Sequence, residues 1–256
     1  MGLAGRDVPP ARRLDSGSRG PAPLHGRDHV HRAGLRVPGT ISWLEPEREV
    51  VKPARFGSDH PMRTVTEQIG SGGGWSPERA SFVAGVFDQL SVDWHADHSS
   101  DLRLAPLEDA LDRGDVGRGR WVEIGCGTGA ATERIATRCP VAAALDLSPR
   151  MLALADSSVA PFVQADASSL PLATGSVDVM VLVNMFMFAA EYDRVLAPGG
   201  RFVWVSTMGD ATPIYLPPQE VMEFLPGCWT AIGSYAGTGF WLVARAARER
   251  SEQERE

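Results

Sequence analysis

From Trp121 to Ser206, strand-length apolar runs alternate with helix-length stretches, and that alternation confines the chain to one kind of architecture. Residues 120–124, 141–145, 162–165, 177–183 (VDVMVLV) and 202–206 read as buried strands. Between them 129–137, 148–155 and 191–196 read as helices, the second opened by Ser148 as N-cap with Pro149 behind it. Strand, helix, strand in sequence requires right-handed crossovers, so the expected fold is α/β, a doubly wound and mainly parallel sheet. A Gly237-Thr238-Gly239 turn between 229–234 and 240–244 adds an antiparallel C-terminal hairpin, giving seven strands. In such a sheet, ligands bind beyond the carboxyl ends of the strands, where the strand order reverses.

Composition narrows the class further. Three cysteines (Cys126, Cys139, Cys228) form neither a disulfide framework nor a zinc ribbon. No apolar run approaches the roughly 20 residues of a membrane-spanning helix. The formal charge of −7 is the wrong sign for a free-standing nucleic-acid binder. These features predict a cytoplasmic protein with no membrane or nucleic-acid partner.

The charge is divided unevenly. Residues 1–61 hold ten basic and seven acidic side chains, eight prolines and eight glycines, without a sustained period. They read as a disordered extension. Within it 39–44 has the makings of a short strand, but the sequence offers nothing obvious for it to pack on. His25, His29 and His31 lie in this stretch and read as solvated, because a metal site needs a scaffold. Composition turns globular at Met62, so a start there is as compatible with the sequence as one at Met1. Residues 62–115 are expected to form a helical lid, 116–246 the core, and 247–256 a charged, solvated tail. In the lid, Ser76-Pro77-Glu78 is a helix start, and Phe82, Val83, Val86, Phe87 and Leu90 recur at helical spacing. A second lid helix is expected over 104–112.

The turn after the first core strand carries the chemistry. In Trp121-Val-Glu-Ile-Gly-Cys-Gly-Thr-Gly129, three alternating glycines let the backbone turn sharply and approach a ligand. The following helix presents free N–H groups there. A glycine turn alone also suits a dinucleotide, with Gly125, Gly127 and Ala130 as G-x-G-x-x-A. Glu123 favours a different ligand: a carboxylate is a poor companion for pyrophosphate and a good one for a cationic amino-acid group. Asp146 follows Gly125 by 21 residues, a spacing at which it can accept both hydroxyls of a ribose. Asp166 ends the third strand, where it can receive the exocyclic amine of adenine, with Leu147 and Ala167 flanking the ring.

The runs EIGCGTG, ALDLS, QADASSLPL, GSVDVMVLVN and RVLAPGGRFVWV, in this order, resemble class I S-adenosylmethionine-dependent methyltransferases. The likeness spans about 76–207 and is nearest to the ubiquinone- and menaquinone-type small-molecule group. It implies a Rossmann-like fold, S-adenosyl-L-methionine as cofactor and methyl transfer to a small-molecule acceptor by in-line displacement. It also implies that Gly125, Cys126, Gly127 and Gly129 pass under the methionine and ribose, with Glu123 at the amino-acid end. Asp146 would bind the ribose hydroxyls and Asp166 with Ala167 the adenine, and Asn184 would lie where the backbone approaches the methionine carboxyl-amino group and the acceptor. Residues 87–94 resemble the family's N-terminal lid, with Trp94 where relatives often have Tyr. A second departure is the short crossover: only residues 185–197 separate Asn184 from Pro198-Gly199-Gly200, so Met185, Phe186, Met187 and Phe188 either wall the acceptor pocket or pack in the core.

No catalytic base identifies itself. His95 and His98 are weak candidates, and Tyr192 and Tyr215 are possible acceptor contacts. Cys126 beside a helix start is a place where a thiol pKa can fall, although its small size suffices to explain it. The 212–218 segment, with three prolines, is expected to rim the acceptor pocket. Two other classes stay open: a cofactor-binding regulatory module without turnover, and an NAD(P)-dependent oxidoreductase.

Overall fold

A computed structural model describes residues 39–53 and 61–246. Residues 1–38 of the expected extension, with His25, His29 and His31, the 54–60 segment and the 247–256 tail lie outside the described residues. The sheet has eight strands: β1 (Thr40–Trp43), β2 (Trp121–Ile124), β3 (Val141–Asp146), β4 (Phe162–Gln164), β5 (Val177–Val183), β6 (Leu196–Ser206), β7 (Trp229–Ala236) and β8 (Gly239–Ala246). Their order is β1-β7-β8-β6-β5-β2-β3-β4. Only β8 runs antiparallel to its neighbours, as the Gly237-Thr238 connection dictates.

The eighth strand corrects the expectation for 39–53. Thr40–Trp43 pairs in parallel with Thr230–Gly233, Leu44 N donates to Gly233 O, and Val50 bridges to Gly237. The partner lies nearly 190 residues away in sequence (Ser234 Oγ to Leu44 O spans 190), which is why no local pattern reveals it.

The helices are α1 (Pro61–Gly70), α2 (Pro77–His98), α3 (Asp101–Arg113), α4 (Ala130–Ala136), α5 (Pro149–Ala153), α6 (Ala189–Val195) and α7 (Pro218–Phe224). Ser76 and Ser148 cap α2 and α5 through their hydroxyls, as their positions before Pro predict. The Pro198-Gly199-Gly200 turn does not end a helix: β6 already begins at Leu196, which pairs with Val177 before a register shift. The strands β5 and β6 form the centre of the core, where Val179–Leu182 and Phe202–Val205 are essentially inaccessible to water. Helix α6 alone makes the crossover from β5 to β6, as the short spacing requires.

The apolar spacing on α2 does not describe a core stripe. Val83 is buried, but Phe82 is 62% exposed and Leu90 50%. Val83, Val86, Phe87 and Leu90 face a cavity instead of a packed sheet. That cavity, about 640 Å³, lies over the carboxyl ends of β2, β3 and β5 beneath α2, and it holds the candidate site.

Candidate functional site

The glycine turn is positioned by its own backbone. Gly125, Gly127 and Gly129 all have positive φ (74°, 55° and 87°), conformations that side chains with a Cβ resist. Gly125 N and Cys126 N both donate to Leu145 O, tying the turn to the end of β3. A Cβ at Gly127 would stand 3.1 Å from Trp94 Nε1 of α2, so the lid indole rests directly over the turn.

Each acid then finds backbone donors. Asp146 Oδ2 accepts from Gly127 N at 2.8 Å, and Oδ1 from Ser148 N at 2.8 Å. Burial raises its pKa, with the nearby Asp88 adding to that, while N–H groups of Ser148, Gly127 and Leu147 pull it back. Each carboxylate oxygen still has acceptor capacity for a ribose hydroxyl. Asp88 also docks the lid: its Oδ1 accepts from Ser148 Oγ and, at 3.3 Å, from Arg150 N. Asp166 Oδ1 accepts from Ser168 N at 2.8 Å. Trp75 Nε1 donates to both of its oxygens, at 3.1 and 2.9 Å.

Glu123 is 1% exposed and receives the Thr132 hydroxyl from α4. Burial pushes its pKa up to about 8; Thr132 opposes this and Asp146 reinforces it. At neutral pH it is therefore a carboxylic acid, able to donate as well as accept. Cys126 is also buried, and burial followed by the charges of Glu123 and Asp146 drives its thiol far above the ordinary range. The helix start does not lower it, so Cys126 faces the cavity as a protonated thiol.

Asn184 lines the cavity with φ 50°, and its side-chain amide is held within the protein. Its Nδ2 donates to Thr207 Oγ1 at 2.8 Å, its Oδ1 accepts from Thr207 N at 2.9 Å, and its own N donates to Val205 O. The pair clamps the ends of β5 and β6 under the cavity. Met185, Phe186 and Phe188 line the cavity, whereas Met187 is fully buried in the core.

The two histidines separate. His98 lines the cavity, stacked on Trp94 at 3.7 Å, its Nδ1 2.8 Å from Trp94 O. Burial and then the Arg103 charge pull its pKa to about 4, against Trp94 O and Asp97, leaving a neutral and weak base. His95 is not among the lining residues. Its Nδ1 lies 3.3 Å from Thr128 Oγ1 and its Nε2 3.8 Å from Glu133.

Neither tyrosine reaches the cavity. Tyr192 is fully buried and donates to Phe186 O at 2.8 Å. Tyr215 packs edge-on to Phe240, beneath the Arg63 guanidinium at 5.8 Å. The proline segment does rim the cavity, through Thr212, Pro213 and Ile214.

Two residues have no sequence signal. Arg103, in the first turn of α3, lines the cavity with a buried Nε that has no hydrogen-bond partner. Trp75 lies in the connection between α1 and α2 and belongs to no periodic run. Among the described residues, no group of three or more His, Cys, Asp or Glu is arranged to hold a metal, and no helix is long and apolar enough to cross a membrane.

The donor set fits a cofactor with an amino-acid end, a ribose and an adenine. Arg103 offers a guanidinium whose Nε has no hydrogen-bond partner, Asp146 two partly used carboxylate oxygens, and Asp166 a further acceptor, all facing one cavity. Residues 122–204 match the model of a family described as "Methyltransferase domain". That match spans about a third of the chain and takes in the glycine turn, Asp146 and Asp166.

Among curated proteins, the chain is 38% identical over 147 residues to the biotin biosynthesis bifunctional protein BioHC of Cellvibrio japonicus, covering 54% of this chain and 27% of that protein. It is 40% identical over 96 residues to the malonyl-[acyl-carrier protein] O-methyltransferase of Hahella chejuensis, covering 32% and 34%. The chain thus matches only about a quarter to a third of the length of these relatives. The [4+2]-cyclase SpnF shares the fold at a TM-score of 0.50 and 17% identity, covering 65% of this chain and 96% of that one.

Proposed function

We propose that the protein transfers a methyl group from S-adenosylmethionine to a small acceptor with an apolar body. The observation that carries this reading is the convergence of Glu123, Gly125–Gly127, Asp146, Asp166 and Arg103 on one cavity whose remaining walls are mostly apolar. In this reading Asp146 accepts the ribose hydroxyls with the lone pairs that Gly127 N and Ser148 N leave free. Arg103 pairs with the carboxylate of the methionine end, Asp166 takes the adenine amine, and Leu147 and Ala167 hold the ring between them. The bound cofactor supplies an electrophilic methyl on a sulfonium with a neutral leaving group. What remains for the chain is alignment and exclusion of water, which account for much of the rate of such a displacement. The acceptor end is lined by Met62, Val86, Leu90, Met208, Pro213 and Ile214.

With His98 neutral and weakly basic, an acceptor that already carries its own negative charge suits the cavity better than an alcohol. The named activity of the Hahella relative, an O-methyltransferase, supports the same order of search. The test is transfer of radiolabelled methyl from S-adenosylmethionine to a panel of small carboxylic acids, phenols and amines with apolar bodies. Labelled product supports the proposal. Cofactor binding with no transfer to any class would favour the regulatory-module reading, and binding of NAD(P) alone the oxidoreductase one.

A further inference from the structure

We propose that Trp75 is a positioning residue for the adenine end of the cofactor and makes the lid part of nucleobase recognition. The inference rests on the cofactor reading above. The indole N–H donates to both oxygens of Asp166, and Ser168 N donates to Oδ1. Without the indole, only Ser168 N would hold the carboxylate. With it, the plane of the carboxylate is fixed, and Oδ2 keeps capacity for one further donor.

Trp75 is a wall of the adenine subsite and not a plug in it. Asp166, Ala167, Leu147 and Leu170 all remain exposed to the cavity with the indole in place. On its other side Trp75 borders a second, more open cavity of about 670 Å³ formed by Gly70–Gly74, Phe188 and Phe224. The indole is thus the partition between the two. It is braced by Phe188 at 5.1 Å and 72° and by Phe186 at 6.0 Å and 51°. Gly72 and Gly74 precede it with positive φ, and Ser76, the α2 cap, follows directly. Trp75 therefore travels with the start of α2, and seating of the lid and orientation of Asp166 are one event.

A fixed carboxylate distinguishes a 6-amino purine, which donates to it, from a 6-oxo purine, which presents an acceptor to it. Selectivity for the amine depends on Asp166 being unable to turn away. Removing the indole N–H while keeping an aromatic wall should compress that selectivity.

The experiment is calorimetric titration of the full chain, wild type and Trp75→Phe, with S-adenosylhomocysteine and with S-inosylhomocysteine. Trp75→Phe should weaken S-adenosylhomocysteine about fivefold and S-inosylhomocysteine less than twofold, the effect of one hydrogen bond to a carboxylate. Equal weakening of both ligands would make Trp75 mere packing and overturn the inference. Tighter binding of S-adenosylhomocysteine would make it a plug and overturn it equally. A second readout leaves Trp75 intact: one indole N–H resonance should move in Asp166→Asn and move in the wild type on adding S-adenosylhomocysteine. No indole response to either would also overturn it. If the wild type binds neither ligand, the cofactor reading itself fails, a result distinct from all of these.

Discussion

The two walls of the cavity are built by different means. The sheet wall, at the ends of β2, β3 and β4, is polar and locally wired: Asp146 is held by Ser148 N two residues on, Asp166 by Ser168 N two residues on. Its glycines set their own geometry through φ. The lid wall is mainly apolar and is wired to the sheet wall across long separations, by Asp88 to Ser148 and by Trp75 to Asp166, 60 and 91 residues apart. In the proposed reading most of the cofactor's polar contacts fall on the sheet wall, where donors and acceptors are held by the backbone. In the same reading the acceptor meets the apolar part of the lid wall, around Met62, Val86 and Leu90, while Trp75 and Arg103 reach the cofactor.

The largest effect should come from the sheet wall. Asp146→Ala removes the acceptor of Gly127 N and of the ribose hydroxyls, so S-adenosylhomocysteine affinity should fall by about a hundredfold, near 3 kcal/mol, in calorimetry. An effect under about threefold would erase the distinction between the walls.

Next is the pH dependence set by Glu123. A carboxyl raised to about 8 in the fold binds a proton that the unfolded chain, with the ordinary value of 4.5, has released. Stability therefore falls as pH rises from 4.5 through about 8, by up to a few kcal/mol. Glu123→Gln should flatten that slope and raise the midpoint of thermal unfolding at pH 8.5 relative to wild type. A parallel slope in both proteins would contradict the neutral state assigned to Glu123.

Arg103→Ala comes third. It should weaken S-adenosylhomocysteine about tenfold and leave 5′-methylthioadenosine, which lacks the amino-acid end, within about twofold. Equal losses for the two ligands would remove Arg103 from the carboxylate subsite. The smallest change should be Leu90→Asn, on the lid wall: cofactor affinity within about 1.5-fold, with the KM for a turned-over acceptor raised about threefold. The opposite pattern would place Leu90 against the cofactor and not the acceptor.

The same contrast explains what the sequence discloses. The sheet wall is legible because its devices are local: a glycine every second residue, an acid 21 positions later, and apolar strands such as Val177–Val183, whose bounds match the structure residue for residue. The hairpin is legible for the same reason, through Gly237-Thr238-Gly239. The edge strand β1 is legible as a short strand over 39–44 but not its pairing, since Thr40–Trp43 is held by a strand near the other end of the chain. Trp75 is a single aromatic beside glycines, and its partner is fixed only by tertiary structure. The apolar residues of α2 show the period of a packed helix because a cavity and a core ask for the same amphipathic pattern. Tyr215 was legible as part of the rim segment, but not as facing Phe240 and Arg63, since side-chain direction in an irregular loop has no period.

The most direct test of the central claim is calorimetric titration of the wild-type protein with S-adenosylhomocysteine, and separately with NAD. The account predicts one site of micromolar affinity for S-adenosylhomocysteine and no heat of binding for NAD. Silence toward S-adenosylhomocysteine, or saturable binding of NAD, would contradict it.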